Sequence, residues 1–176
     1  MSTLIAYASL VSTPWKNAGG STAEIAVSPP GAGFDDFDWR LSLATIRAAG
    51  PFSVFPGVDR TLALVDGPGL ILDIDIDSVI GGGRRRVALG GDEALVAFPG
   101  EAAVGASLDG GAATDFNVMT RRARCHHRVG RRSVAGRILM RWVTRPQLRR
   151  SVAELETMRS SASTDSDTGR LRSGQL

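Results

Sequence analysis

Lys16 is the only lysine in a chain that carries twenty arginines. A lone compact ammonium among fork-shaped guanidinium groups reads either as a specific position to fill or as an ordinary exposed side chain beside the glycine turn Gly19-Gly20. Arg40 and Ser42 alternate with Trp39, Leu41 and Leu43, so the two polar groups share one strand face. If that face looks into a barrel it lines a ligand cavity, and in the opposite register it simply meets water. Arg60 follows Asp59 and is available either to an anionic ligand or to a structural ion pair. Asp115, Asn117 and Met119 fall on one face of a further strand. A carboxylate and an amide there suit orienting a ligand, anchoring Arg40 or Arg60, or bonding along a strand edge.

Other chemistries find less support. His126 and His127 are adjacent, so in an extended chain they point to opposite sides. They stand in an arginine-rich stretch where added positive charge opposes a cation, and no metal is expected. Cys125 has two neighbouring histidines that would lower a thiol pKa, but no supporting acid or oxyanion device is legible. Gly81-Gly82-Gly83-Arg84-Arg85-Arg86 lacks the Gly-Lys-Ser/Thr ending of a phosphate loop and reads as a solvated hairpin tip. No catalytic residues and no cofactor are assigned.

The elements that must position these groups are short strands cut by turns. Leu62 and Leu64 precede the turn cluster Asp66-Gly67-Pro68-Gly69. Leu70, Leu72, Ile74 and Ile76 then share one face, while Ile71, Asp73, Asp75 and Asp77 share the other. A compact apolar strand runs from Ala94 to Phe98. Strands at this spacing, with few helical stretches, predict an all-β sandwich or barrel over residues 1–122. From 123 to 159 arginine rises and alternation fades. Arg137 to Val143 reads as one more strand. Ser151-Val152-Ala153-Glu154 matches a capping box, and Leu148, Val152, Leu155 and Met158 fall at helical spacing, which predicts a short helix over 147–159. Residues 160–176, rich in Ser, Thr, Asp and Gly, read as disordered.

The 176 residues suffice for one domain with a real core, and the formal charge of +3 conceals an asymmetry. Residues 1–120 hold seven basic against fourteen acidic groups; residues 121–176 hold fourteen arginines against four acids. A nucleic-acid role for that tail would be sequence-independent and salt-sensitive, and without interleaved aromatics it is not expected. No apolar run approaches the length of a membrane span, and no basic-then-apolar leader opens the chain. One cysteine excludes an internal disulfide framework and fits a reducing compartment. The expected location is the cytoplasm, with no membrane partner.

Taken in order, five segments resemble the HutD/Ves family. They are Trp15-Lys16-Asn17-Ala18-Gly19-Gly20-Ser21-Thr22-Ala23-Glu24-Ile25, Phe37-Asp38-Trp39-Arg40-Leu41-Ser42, Gly50-Pro51-Phe52-Ser53-Val54-Phe55-Pro56-Gly57-Val58-Asp59-Arg60, Phe98-Pro99-Gly100-Glu101, and Asp115-Phe116-Asn117-Val118-Met119-Thr120-Arg121-Arg122. The resemblance runs from about Thr13 to Arg122. It implies a cupin-like β-barrel (a jelly roll of the bicupin type) without established catalysis, attached to histidine utilisation and restraining that pathway by sensing an intermediate such as N-formylglutamate. Carried onto matching positions, it implies a pocket of Lys16, Asn17, Thr22, Glu24, Arg40, Ser42, Arg60, Asp115 and Asn117. The implied partner is a small carboxylate-bearing metabolite, with a homodimer also compatible. An enzyme acting on a small polar metabolite without a metal is the alternative. Beyond Arg122 the family continues with apolar, glycine-punctuated strands, whereas this chain turns Arg- and Ser-rich. Two readings account for that: divergence, with a short helix in place of the second half, or a reading-frame change near residue 125.

Overall fold

The structure, a computed structural model, describes residues 10–76, 83–91, 94–134, 137–146 and 151–158, with side chains up to residue 130. Every regular element among them is a strand. In chain order these are β1 (Ser12–Pro14), β2 (Gly20–Ser28), β3 (Trp39–Ile46), β4 (Gly50–Pro51), β5 (Val58–Asp66), β6 (Leu70–Asp75) and β7 (Arg84–Leu89). There follow β8 (Leu95–Pro99), β9 (Ala103–Leu108), β10 (Ala113–Arg121), β11 (Cys125–Val134), β12 (Arg137–Pro146) and β13 (Ser151–Met158).

The strands form three antiparallel sheets, ordered β1-β2-β3-β10-β5-β8, β4-β9-β6-β7 and β11-β12-β13. From β3 to β10 the chain crosses between the first two sheets so that first and last strands become neighbours. That order, 3-10-5-8 facing 4-9-6-7, is the eight-stranded double-sheet jelly roll of cupins. The expected all-β, cupin-like architecture is what the chain adopts.

Alternation in the sequence explains which face goes where. On β6, Leu70, Leu72 and Ile74 are fully buried while Asp73 is exposed, as their period-two spacing requires. They pack on Ile46, Leu62, Leu64, Val96, Phe98, Val104 and Ala106 to make the core between the two sheets. The first sheet is buried on both faces. Its outer face carries Leu41, Leu43, Ala63, Val65, Phe116 and Val118, a second cluster against which Val129 of β11 packs. This explains why β5 carries apolar residues on both faces, Leu62 and Leu64 on one and Ala63 and Val65 on the other.

The segment after residue 123 departs from expectation. Arg137–Pro146 is the strand anticipated there, but Ser151–Met158 is a strand, not part of a helix over 147–159. It pairs with β12 in register from Arg137↔Met158 to Thr144↔Ser151. The capping box and helical spacing are local signals. The open edge of β12 offers a full ladder of backbone donors and acceptors, and pairing there outweighs local preference. The tail expected to be disordered, 160–176, lies outside the described residues.

Candidate functional site

The interior of the jelly roll is apolar at one end and polar at the other. Cross-strand register builds the polar end. Glu24 of β2 opposes Ser42 of β3, which opposes Asn117 of β10, which opposes Leu62 of β5. One step along, Arg40 opposes Met119, which opposes Arg60. The neighbouring row brings Thr22 and Asp115 to either side of Ala44. A bulge between Thr114 and Asp115 adjusts β10 where it meets β5.

These rows wall a cavity of about 680 Å³. That volume falls within the range typical of small-molecule sites. All nine residues expected at the pocket line it: Lys16, Asn17, Thr22, Glu24, Arg40, Ser42, Arg60, Asp115 and Asn117. The register left open in the sequence is therefore the inward one. Ser42, Arg60, Asp115 and Asn117 retain only 3%, 7%, 2% and 8% exposure. Spacing alone did not reveal the aromatic part of the wall, Trp15, Phe34, Phe52 and Phe55. The phenylalanines of Gly50-Pro51-Phe52-Ser53-Val54-Phe55 were visible only as part of a motif.

Arg60 is the most constrained group. Its guanidinium carbon sits 5.4, 5.5 and 5.2 Å from the ring centres of Phe52, Phe55 and Phe98. Nη1 donates to the Ser53 carbonyl at 3.3 Å, and Nε has no partner. Burial lowers its pKa to about 10, against the opposing charge of Asp115. The adjacent Asp59 is not its ion-pair partner; it accepts from Arg122 at 2.8 Å on the other face of the strand. Burial pushes Asp115 up to about 7, with Arg60 pulling the other way. Asp115 Oδ1 and Asn117 Oδ1 are buried without a hydrogen-bond partner.

Arg40 is tied down differently. It pairs with Glu24 at 2.7 Å and lies 4.3 Å from the centre of the Phe34 ring. Phe34 in turn meets Phe55 at 5.6 Å. Lys16 and Asn17 stand exposed at the mouth. Their turn is built by Asn17, whose Oδ1 accepts from the Gly19 backbone at 3.1 Å, and by the Gly19 carbonyl, which accepts from Arg47 and Ala48. Gly20 is required there, since a Cβ would come within 2.5 Å of the Thr45 carbonyl. Trp15 Nε1 donates to Thr22 Oγ1 at 2.8 Å, which fixes the indole against the wall.

The remaining candidates lie elsewhere. Arg84 and Arg86 pair with Asp75 and Asp73 at 2.9 and 3.7 Å on an exposed hairpin. Cys125 is buried, donates to the Asp38 carbonyl at 3.0 Å, and burial pushes its thiol up to about 11, opposite to the lowering its basic neighbours suggested. His126 is exposed, while His127 turns toward the first sheet.

The HutD family model matches residues 7–169. The chain belongs to the HutD family. The match continues through the arginine-rich segment, well past the Arg122 limit of the motifs. Among HutD relatives, the chain is 41% identical over 116 residues to "Protein Ves" of Cronobacter sakazakii. It is 42% identical over 106 residues to an "uncharacterized 21.2 kDa protein in hutC 3'region" of Pseudomonas putida. These alignments take in 65% and 60% of this chain but only 58% and 51% of the relatives, so the matched stretch spans little more than half their length. HutD from Pseudomonas fluorescens SBW25, solved in a formate condition, superposes with a TM-score of 0.60 at 34% identity, covering 76% of this chain and 71% of that one. A conserved protein of unknown function from Pseudomonas aeruginosa PAO1 gives 0.64 at 33% identity, covering 77% and 65%.

Proposed function

We propose that the jelly-roll cavity binds a small carboxylate-bearing metabolite, and that the protein is a non-enzymatic regulator of histidine utilisation that senses an intermediate such as N-formylglutamate. The observation that carries this reading is a cavity in which Arg60, held by three aromatic rings, has no partner for its buried Nε, while the Oδ1 atoms of Asp115 and Asn117 are likewise buried and unpartnered. Buried polar groups without partners cost stability, and a ligand that satisfies them recovers it. A carboxylate accepts from Arg60 and from Arg40, whose charge is shared with Glu24. An amide or formyl group answers Asn117 and Ser42, and Lys16 at the mouth suits a second carboxylate. The names of the relatives, HutD and a protein of a hutC region, support the pathway.

At a ligand concentration about a hundred times its Kd, binding adds about 2.7 kcal/mol to the folded state. Thermal denaturation with N-formylglutamate is expected to show that gain in the native chain. Arg40→Ala should lose it while keeping its own unliganded transition, and an unchanged ligand response would remove Arg40 from the site.

One observation favours a second reading, an enzyme acting on a small polar metabolite without a metal. Asp115 is buried in the cavity wall with Oδ1 unpartnered, and burial pushes its carboxyl up to about 7, which suits a general acid or base at neutral pH. Steady release of formate from N-formylglutamate by the pure protein would establish it over the regulator.

A further inference from the structure

Asp115 differs from the other acid of the cavity, Glu24, in being 2% exposed, outside any ion pair among the described residues, and in having no hydrogen-bond partner for Oδ1. Its neighbours can be named strand by strand. Arg60 of β5 is the charge that acts on it; Arg40 of β3, four residues along from the partner of Asp115, and Glu24 of β2 line the same cavity paired to each other, and Lys16 stands at the exposed mouth. Arg60 is therefore the one deeply buried cation among the described cavity residues that has no ion pair. A ligand carboxylate placed against Arg60 Nε uses that charge completely. An ionised Asp115 would then be a second buried anion in the same cavity with no other unpaired buried cation to balance it, a costly arrangement at low dielectric. A protonated Asp115 reverses the situation, because its hydroxyl becomes a donor aimed at the ligand.

We propose that this pocket takes up its carboxylate ligand together with one proton, which passes from solvent to Asp115 and is then shared in a hydrogen bond from the Asp115 hydroxyl to the ligand. The inference rests on the carboxylate-binding reading above and adds regulation to it: the site responds to ligand and to pH jointly. One O–H bond forms on Asp115, solvent supplies the proton, and net charge in the cavity stays constant as the anion enters. Burial has already brought the free carboxyl to about 7, so protonation near neutrality is cheap, and the arriving anion raises the value further.

The sign follows directly. Below about pH 6 the unliganded Asp115 is already protonated, so binding takes up little and affinity is flat. Above about pH 7.5 each bound ligand draws in close to one proton, and affinity falls about tenfold per pH unit. N–H donors on the ligand facing an ionised Asp115 would give the contrary result, with no proton uptake.

The experiment is titration calorimetry of the full chain with N-formylglutamate, and separately with formate, from about pH 5.5 to 9 in buffers of differing ionisation enthalpy. The expected result is uptake rising from near zero to near one proton, and in Asp115→Asn a pH-independent affinity with no uptake. Buffer-independent heats and a flat affinity in the native chain overturn the proton coupling and leave carboxylate binding standing. So does an unchanged pH dependence in Asp115→Asn. Failure of both probes to bind at about pH 5.5, where the coupled site is fully competent, overturns carboxylate binding and the coupling with it.

Discussion

At Asp115 the residue type was legible in the sequence and the consequence was not. An Asp-x-Asn pair on one strand face reads equally well as a ligand clamp or an edge-strand hydrogen-bond pair. What separates the two is that Oδ1 is buried without a partner, while Arg60 donates to the Ser53 carbonyl and lies among three phenylalanine rings. The same burial carries a stability cost with a definite sign. A carboxyl whose pKa rises from 3.8 unfolded to about 7 folded binds its proton more tightly in the native state. Its contribution therefore favours folding at acid pH and is lost as pH rises from about 4 to about 7, with an upper magnitude of about 4 kcal/mol. Asp115→Asn should accordingly be more stable than the native chain at about pH 8 and lose that advantage near pH 4. Urea denaturation at the two pH values checks this, and equal differences at both would show that Asp115 does not titrate in this window. Asn17 teaches the opposite lesson. It was implicated through a motif, yet its side-chain oxygen builds the turn that presents Lys16.

Among the elements, β10 and β11 do the positioning. β10 lies between β3 and β5 and supplies Asp115 and Asn117 inward, Phe116, Val118 and Thr120 outward. Its period-two pattern was legible, but because both faces are covered the pattern did not say which one looks into the barrel, and Arg40 and Ser42 on β3 were ambiguous for the same reason. The second face exists only because β11 covers it. His127 fastens β11 there, with Nε2 2.8 Å from Thr61 Oγ1 and Nδ1 2.7 Å from Thr120 Oγ1. Neither threonine nor histidine advertises this contact in the sequence, since the partners lie 66 and 7 residues apart. Burial lowers the His127 pKa, so the folded state resists protonation, and its contribution is present above the ordinary histidine value and lost as pH falls below about 6.5. His127→Ala is expected to cost about 1–3 kcal/mol and to remove that acid-side dependence. Hydrogen exchange in 125–134 reads both, and unaltered protection would show that the imidazole is not what fastens the strand. The missed strand β13 belongs at this scale too: the spacing of Val152, Leu155 and Met158 is a helix signal, and only the neighbouring edge of β12 overrides it.

For the whole molecule, the two-sheet architecture was readable because turns and alternation repeat along residues 39–121, but the third sheet was not. Two of its strands, β11 and β12, are arginine-rich and unlike those of the jelly roll, although the family match runs through them to residue 169. The charge asymmetry marks the boundary. Three arginines at that boundary lock the jelly roll's loops together. Arg122 pairs with Asp59 and Glu101 at 2.8 and 3.1 Å, Arg124 pairs with Asp38 at 2.7 Å, and Arg121 donates to the Phe34 and Asp35 carbonyls. The hydrogen bond from Arg122 holds the Glu101 carboxyl below its ordinary value. A chain ending after Arg124 would keep this lock and the cavity but uncover Ile25, Leu41, Leu43, Phe116 and Val118. It should associate or precipitate, because an exposed apolar sheet face of that kind seeks a partner. Size-exclusion chromatography tests it, and a soluble monomer would mean that β11 is dispensable as a cover.

The insertion of β10 between β3 and β5 also fixes when the cavity comes into being. Thr22, Glu24, Arg40 and Ser42 leave the ribosome early, and Arg60 soon after, but the wall that joins them is made of residues 113–121. Until that stretch has emerged, β3 and β5 have no common neighbour and the arginines face no enclosed space. Closure thus requires pairing across about 75 residues of chain, from Ser42 to Asn117, the kind of long-range step that slows folding. A metabolite that bound the finished cavity would therefore act on newly made chains as well as mature ones: where abundant, it would hold each nascent barrel shut as soon as β10 is seated.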